Sequence, residues 1–316
     1  MVIDRAVWQR HALANRFQSL LLLLVMALFL SLLGWLLLGG TGIFWLLLPG
    51  MLLLLFNPVA SPWIIMRMYR ASPLTQSPLL VSAVQELSRR AGLRQVPELF
   101  YIPSSSFNAF TVGMRNEAVI AVSDGLLRML NSREMVAVLA HELSHIRNND
   151  IWVMGVADLF SRLTSLLSIF GQFLLLLNLP LILFTEVSIN WLVVLLLIFA
   201  PTMSALAQLG LSRTREYDAD LGSVELTGDP EALASALLKL ERQGASLFEQ
   251  VFLPGRRMPE PSLLRTHPPT EERVRRLLAL KPSINQPMSL EGLSQDNTLG
   301  YRVRRSPRWH VNGLWH

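Results

Sequence analysis

The pattern with the clearest chemical use in this chain is His141-Glu142-Leu143-Ser144-His145. On a helix, residues four apart share a face, so both imidazoles can reach one Zn²⁺. Glu142 would stand where it can take a proton from water acidified by that ion. The chemistry open to such a set is hydrolysis of an amide bond. The stretch Glu134-Met135-Val136-Ala137-Val138-Leu139-Ala140 contains no Pro or Gly and spaces its apolar residues helically, which predicts a helix around the motif. Asn131 or Ser132 would cap its start, with Glu134 as the acid of the first turn.

A catalytic zinc needs three protein ligands and an open position for water. Of the six histidines, His11 lies near the start and His310 and His316 near the end, leaving His267 as the other central candidate. The alternative is a carboxylate from a second helix, and Glu216 in Arg213-Thr214-Arg215-Glu216-Tyr217-Asp218-Ala219-Asp220 fits it. Asp220, one turn on, shares the face of Glu216 and could orient His141 or a basic partner. The plainer account of Glu216 and Asp220 is a solvated carboxylate pair compensating nearby arginines.

The elements that must position these residues are membrane helices. With 51% hydrophobic and 16% charged residues among 316, a large share of the chain must face lipid. No charged residue occurs between Arg16 and Arg67, which is long enough for a hairpin of two spans, about 17–38 and 43–66, turning at Gly39-Gly40-Thr41-Gly42. No small-residue cleavage site follows a short apolar core, so the first span reads as an anchor. A second hairpin, about 163–185 and 187–212, turns near Asn178, Pro180 and Glu186. Glu216 then follows one end of this hairpin and the histidines precede the other, so the hairpin itself would bring them together. Arginines flank the spans on one side (Arg5, Arg10 and Arg16; Arg67 and Arg70; Arg147 and Arg162; Arg213 and Arg215), while the turns carry none. Both termini and the metal motif are therefore expected in the cytoplasm. The net charge of +5 suits anionic lipid headgroups, and no nucleic-acid-binding signature is present. The absence of cysteine excludes disulfides and thiolate metal sites.

Between the hairpins, 77–93 reads as a helix, 97–102, 107–112 and 118–122 as strands, and 126–130 as a short helix before the metal helix. After them, 214–225, 230–243 and 271–280 read as helices. The expected division is an N-terminal hairpin (1–66), a first peptidase segment (67–150), a second hairpin (151–212), a second peptidase segment (213–280) and an irregular tail (281–316).

The chain resembles bacterial HtpX-type zinc metalloproteases, relatives of the zinc-dependent CaaX prenyl protease. The likeness runs through Pro97-Glu98-Leu99-Phe100-Tyr101, Asn108-Ala109-Phe110, Gly125-Leu126-Leu127, Glu134 to His145 with Asn148 and Asp150, Arg215 to Asp220, and Thr266-His267-Pro268-Pro269. It implies His141, His145 and Glu216 as ligands of one Zn²⁺ and Glu142 as base. It places Arg273 against Asp220, with Asn148 and Asp150 as further support around the ligands. It also implies cleavage of damaged membrane proteins at the bacterial inner membrane, in quality control and stress response. His267 would stabilise the oxyanion or fix its loop. Asn108, Ala109 and Phe110 would bind substrate backbone if their strand has an open edge. The tail and the basic Arg147 depart from the pattern without touching a ligand.

The expected fold is α+β and predominantly helical: four transmembrane helices in two hairpins carrying a cytoplasmic, gluzincin-like peptidase domain. Its partners would be polypeptides and the bilayer. Two rival readings are a zinc-stabilised scaffold without catalysis, which leaves Glu142 without a duty, and a processing protease for a few defined substrates. A transporter would need charge deep in the spans, which is nearly absent.

Overall fold

A computed structural model describes residues 2–3, 5–40, 62–180, 190–250, 268–280 and 282–283. In chain order these form β1 (Val2–Ile3), α1 (Arg5–Leu38), α2 (Pro62–Met68), β2 (Ser72–Pro73), α3 (Pro78–Ala91), β3 (Glu98–Ile102), β4 (Ala109–Val112) and β5 (Val119–Ser123). There follow α4 (Asp124–Met129), α5 (Ser132–Asn148), α6 (Asp150–Leu177), α7 (Trp191–Thr227), α8 (Pro230–Gln250), α9 (Thr270–Ala279) and β6 (Pro282–Ser283).

Among the described residues, α1, α6 and α7 are the helices long and apolar enough to cross a membrane. They pack together through Leu30, Leu33, Leu163, Leu167, Leu197 and Ala200. Phe17, Leu24, Phe173 and Phe199 point outward, as lipid-facing side chains must. Small polar groups tie α6 to α7: the Ser161 and Ser204 hydroxyls lie 3.1 Å apart, and Ser168 donates to the Leu197 carbonyl. The span expected over 43–66 lies mostly outside the described residues. Its last five, Pro62 to Met66, instead open α2, whose Met66 is buried against the sheet.

The sheet runs β2-β3-β5-β4, with β3 and β5 parallel and β4 antiparallel to β5 at the edge. Its side chains alternate between two cores, as the two-residue period requires. Leu99, Ile120 and Val122 meet Leu87 of α3 and Met135 and Leu139 of α5, while Phe100, Ile102, Phe110 and Val119 meet Met66. Gly125 has no room for a side chain. A Cβ there would overlap the Ser105 and Ser106 carbonyl oxygens, which explains the glycine in the first turn of α4.

α5 opens with a capping box in which Asn131 accepts from the Glu134 N–H and Glu134 accepts from the Asn131 N–H. It closes at Asn149, in the left-handed conformation at φ 57°, and α6 starts on the next residue. The expected break between span and soluble helix near Ser212 does not occur. α7 is continuous from Trp191 to Thr227, since no proline falls between Ser212 and Thr227 and charged residues there are compatible with helix. The described part of the expected irregular tail, β6, pairs antiparallel with β1.

Candidate active site

The site forms where α7 crosses α5. Glu216, Ala219, Asp220 and Ser223 are all buried, and their spacing of three, one and three makes one stripe of α7. The approach is close because Gly222 admits it: a Cβ there would lie 2.4 Å from Ser144 Oγ on α5. Ser223 Oγ donates to the Ala137 carbonyl at 2.8 Å, and Arg147 Nη2 pairs with Glu225 at 2.9 Å. Arg147 thus joins the two helices, and the stripe carries Glu216 to the histidines.

His141 Nε2 and His145 Nε2 lie 3.2 Å apart, and the Glu216 carboxylate oxygens lie 3.5 Å from the first and 3.7 Å from the second. Each histidine turns Nδ1 toward a carboxylate: His141 to Asp220 at 3.1 Å and His145 to Asp150 at 2.7 Å. His145 Nδ1 hydrogen-bonds to Asp150 and His141 Nδ1 lies at ion-pair range of Asp220, so in the neutral imidazoles Nδ1 carries the proton and both Nε2 atoms face each other and Glu216 with lone pairs. Atoms converging this way need positive charge among them, a proton on an imidazole or a bound cation, to offset their repulsion. Separations of 3.2 to 3.7 Å bring the three side chains close enough to share one ion. The three residues could hold a metal ion.

Electrostatics point the same way. Burial works against a charged His141, but the Asp220 and Glu216 carboxylates outweigh it and push its pKa up to about 10. His145 is likewise raised: burial opposes the charge and Asp150 prevails. Such a field attracts cations. Arg273 on α9 completes it, with Nε and Nη2 donating to Asp220 at 2.8 and 2.6 Å and Nη1 lying 3.1 Å from Glu216. Burial alone would lower the Arg273 pKa, but Asp220 and Glu216 raise it, so the guanidinium stays charged. The expected Asp220–Arg273 contact is therefore present, and Arg273 also restrains Glu216.

Glu142 is buried beside this cluster and accepts a hydrogen bond from Thr111 Oγ1 at 2.8 Å. Thr111 lies on β4, two residues from Ala109 on the same face of the strand, while Phe110 points into the opposite core. Asn108 precedes the strand, its backbone held by Ser123. Among the described residues β4 pairs with β5 alone, leaving its second edge for another strand. Asn148 is the last residue of α5, and the contacts to the ligand-type histidines come from Asp150 and Asp220 instead. His267 lies outside the described residues. Tyr217 packs under Arg276, whose guanidinium carbon sits 3.9 Å from the ring centroid, consistent with a packing role. Asp158 and Arg162 form an exposed ion pair at 2.7 Å.

Residues 75–281 match peptidase family M48, well over half of the chain. The chain belongs to that family. A "Protease HtpX homolog" of Desulfatibacillum aliphaticivorans is 34% identical over 85% of this chain and 91% of its own length. The "Protease HtpX" of Legionella pneumophila (strain Corby) is 34% identical over 84% of this chain and 99% of its own. The crystal structure of S. mikatae Ste24p aligns at 20% identity and a TM-score of 0.47 over 85% of this chain and 66% of that one, too slight a likeness to weigh on the fold. As an M48 member of the HtpX type, the protein is a membrane-associated metalloprotease.

Three residues of this M48 site escape sequence reasoning. Thr111 sits one position beyond the Asn108 to Phe110 block, Arg215 reads as one flanking charge among several, and Gly222 is an isolated helical glycine. The period-two pattern of β4, which puts Thr111 on the face of Ala109, and the Arg215 to Asp220 block of the likeness were the signals for two of them, and Gly222 had none.

Proposed function

We propose that the protein is a zinc-dependent endopeptidase that holds its ion with His141, His145 and Glu216 and cleaves membrane proteins at the cytoplasmic face of a bacterial inner membrane. The observation that carries this reading is the convergence of two Nε2 lone pairs and a carboxylate on one point, with a second carboxylate, Glu142, beside it. When bound there, zinc supplies an acidified water and polarises the scissile carbonyl. Glu142 takes the proton of the attacking water on its carboxylate and returns it to the leaving amide nitrogen. Thr111 fixes the Glu142 carboxylate. Asp220 and Asp150 hold the two imidazoles in the tautomer that leaves Nε2 free, and Arg273 steadies Glu216. The open edge of β4 would take the substrate as an added strand, which suits tolerance of many sequences. His267 is assigned the oxyanion or its loop on the strength of the family motif alone.

Glu142→Gln tests the mechanism in the full chain. It should retain zinc and fold while hydrolysis falls by ~10² or more, because the base and not a ligand is lost. Full peptidase activity in that variant would refute the assignment, and zinc loss would recast Glu142 as a ligand.

A further inference from the structure

α1 is read above as a membrane anchor, yet its first turns do not behave like one. The buried face over Ala12, Asn15 and Ser19 continues past the apolar stretch toward the N-terminus, where Trp8 Nε1 donates to the Leu221 carbonyl of α7 at 3.3 Å. Asn15 is 2% exposed, and both ends of its amide are engaged: Nδ2 donates to Asp218 Oδ1 at 2.8 Å and Oδ1 accepts from Arg276 at 3.2 Å. A buried amide used at both ends is a clamp, here between α7 and α9.

From Asp218 an unbroken polar chain leads to the metal donors. Its second oxygen, Oδ2, accepts from Arg215 Nη1 at 3.0 Å, and Arg215 Nε donates to Asp150 Oδ1 at 2.6 Å. The other Asp150 oxygen, Oδ2, faces His145 Nδ1 at 2.7 Å. Each carboxylate in the chain uses one oxygen toward α1 and one toward the metal, so rotating any member misaligns the next. Arg215 is the joint, because its planar guanidinium holds Asp218 and Asp150 in one fixed fork.

We propose that α1 is a positioning element of the metal centre, acting on the ring of His145 through Asn15, Asp218, Arg215 and Asp150. A membrane helix thereby sets the aim of a cytoplasmic ligand, and displacement of α1 against α7 would loosen the metal. The inference rests on the reading of His145 as a ligand.

The test uses the full chain in detergent, with zinc itself as the probe, its affinity measured by competition with a chelator and kcat and KM measured on one peptide substrate. Arg215→Gln should weaken zinc about 10-fold, at the low end of the range for residues that support ligands, and Asn15→Leu about 3-fold in the same direction. kcat should fall with KM little changed. The double variant should be no worse than Arg215→Gln, since both cut one chain. Asn15→Asp, matched in size but unable to donate to Asp218, should repeat the Asn15→Leu loss if the leucine variant does not fold. Leu13→Ala, on the exposed face of α1, should bind zinc as the parent does. Parental zinc affinity in a folded Asn15 variant, even one that melts earlier, would overturn the proposal, as would multiplicative losses in the double. Undiminished zinc binding in His145→Ala would overturn the ligand assignment beneath it instead.

Discussion

At the scale of the residue, the site divides its labour between atoms that face the reaction and atoms that hold them. Glu142 needs a fixed direction, and Thr111 supplies it from the strand expected to meet substrate. Thr111→Val keeps shape and volume while removing the hydroxyl, so kcat should fall about 10-fold, worth ~1.4 kcal/mol in the barrier, with zinc content unchanged. Thr111→Ser should restore most of it, and equal defects in both variants would show that packing and not the hydrogen bond matters. Asp220 and Arg273 form a second unit. Asp220→Asn and Arg273→Ala should each cost about 10- to 100-fold in activity, and the double variant little more, because all three weaken or remove the shared Asp220–Arg273 contact. Multiplicative losses in the activity assay would separate them, for example if the 3.1 Å approach of Arg273 to Glu216 acts alone.

At the scale of the element, α5 is pinned at its first turn as firmly as at its metal end. Glu134 closes the capping box, accepts from Ser235 Oγ and pairs with Lys239 of α8, both at 2.7 Å. Burial would raise the Glu134 carboxyl, but Lys239, Ser235 and the Asn131 N–H outweigh it and hold the pKa below the ordinary 4.5. A folded-state pKa below the unfolded one stabilises the fold above the ordinary carboxylate range, and that gain disappears as pH falls through the lowered value. Glu134→Gln should therefore destabilise the protein at neutral pH by about 1–3 kcal/mol. The gap in melting temperature from the parent should close in acid below the ordinary carboxylate range. A gap that stays constant from neutral pH into strong acid would mean that the charge of Glu134 contributes nothing.

At the scale of the molecule, three apolar helices and a mixed-polarity domain share one architecture, because α7 belongs to both. Its N-terminal part packs on α6, and its C-terminal part carries Glu216 and Asp220. The site therefore lies just beyond the apolar part of the bundle, on the side where Arg16, Arg213 and Arg215 gather. A reporter inserted at Gly39 to Gly42 or near Glu186 should read as extracytoplasmic, and one placed after Leu280 as cytoplasmic. A cytoplasmic reading at Gly39 to Gly42 would reverse the orientation and with it the face from which substrates come.

What the sequence determined by itself was local. The i, i+4 pair of His141 and His145, a cap at Asn131 or Ser132 with an acid in the first turn, and the strands over 97–102 and 118–122 all follow from spacing along the chain, which a helix or strand turns directly into a shared face. Glu216 stood as a candidate beside His267, because it follows the end of the second expected hairpin as the histidines precede its start, and the structure puts it 3.5 and 3.7 Å from the two imidazoles. What only the tertiary structure decided is how elements distant in sequence meet at ångström range. Nothing in the neighbourhood of Asn15 points 203 positions on to Asp218, and nothing near Gly222 announces Ser144. The continuity of α7 through Ser212 belongs to the same class, since a helix crossing from lipid to water shows a change of composition but no change of backbone. Such contacts depend on where helices cross, and a crossing is set by the packing of both partners together, which neither segment encodes alone.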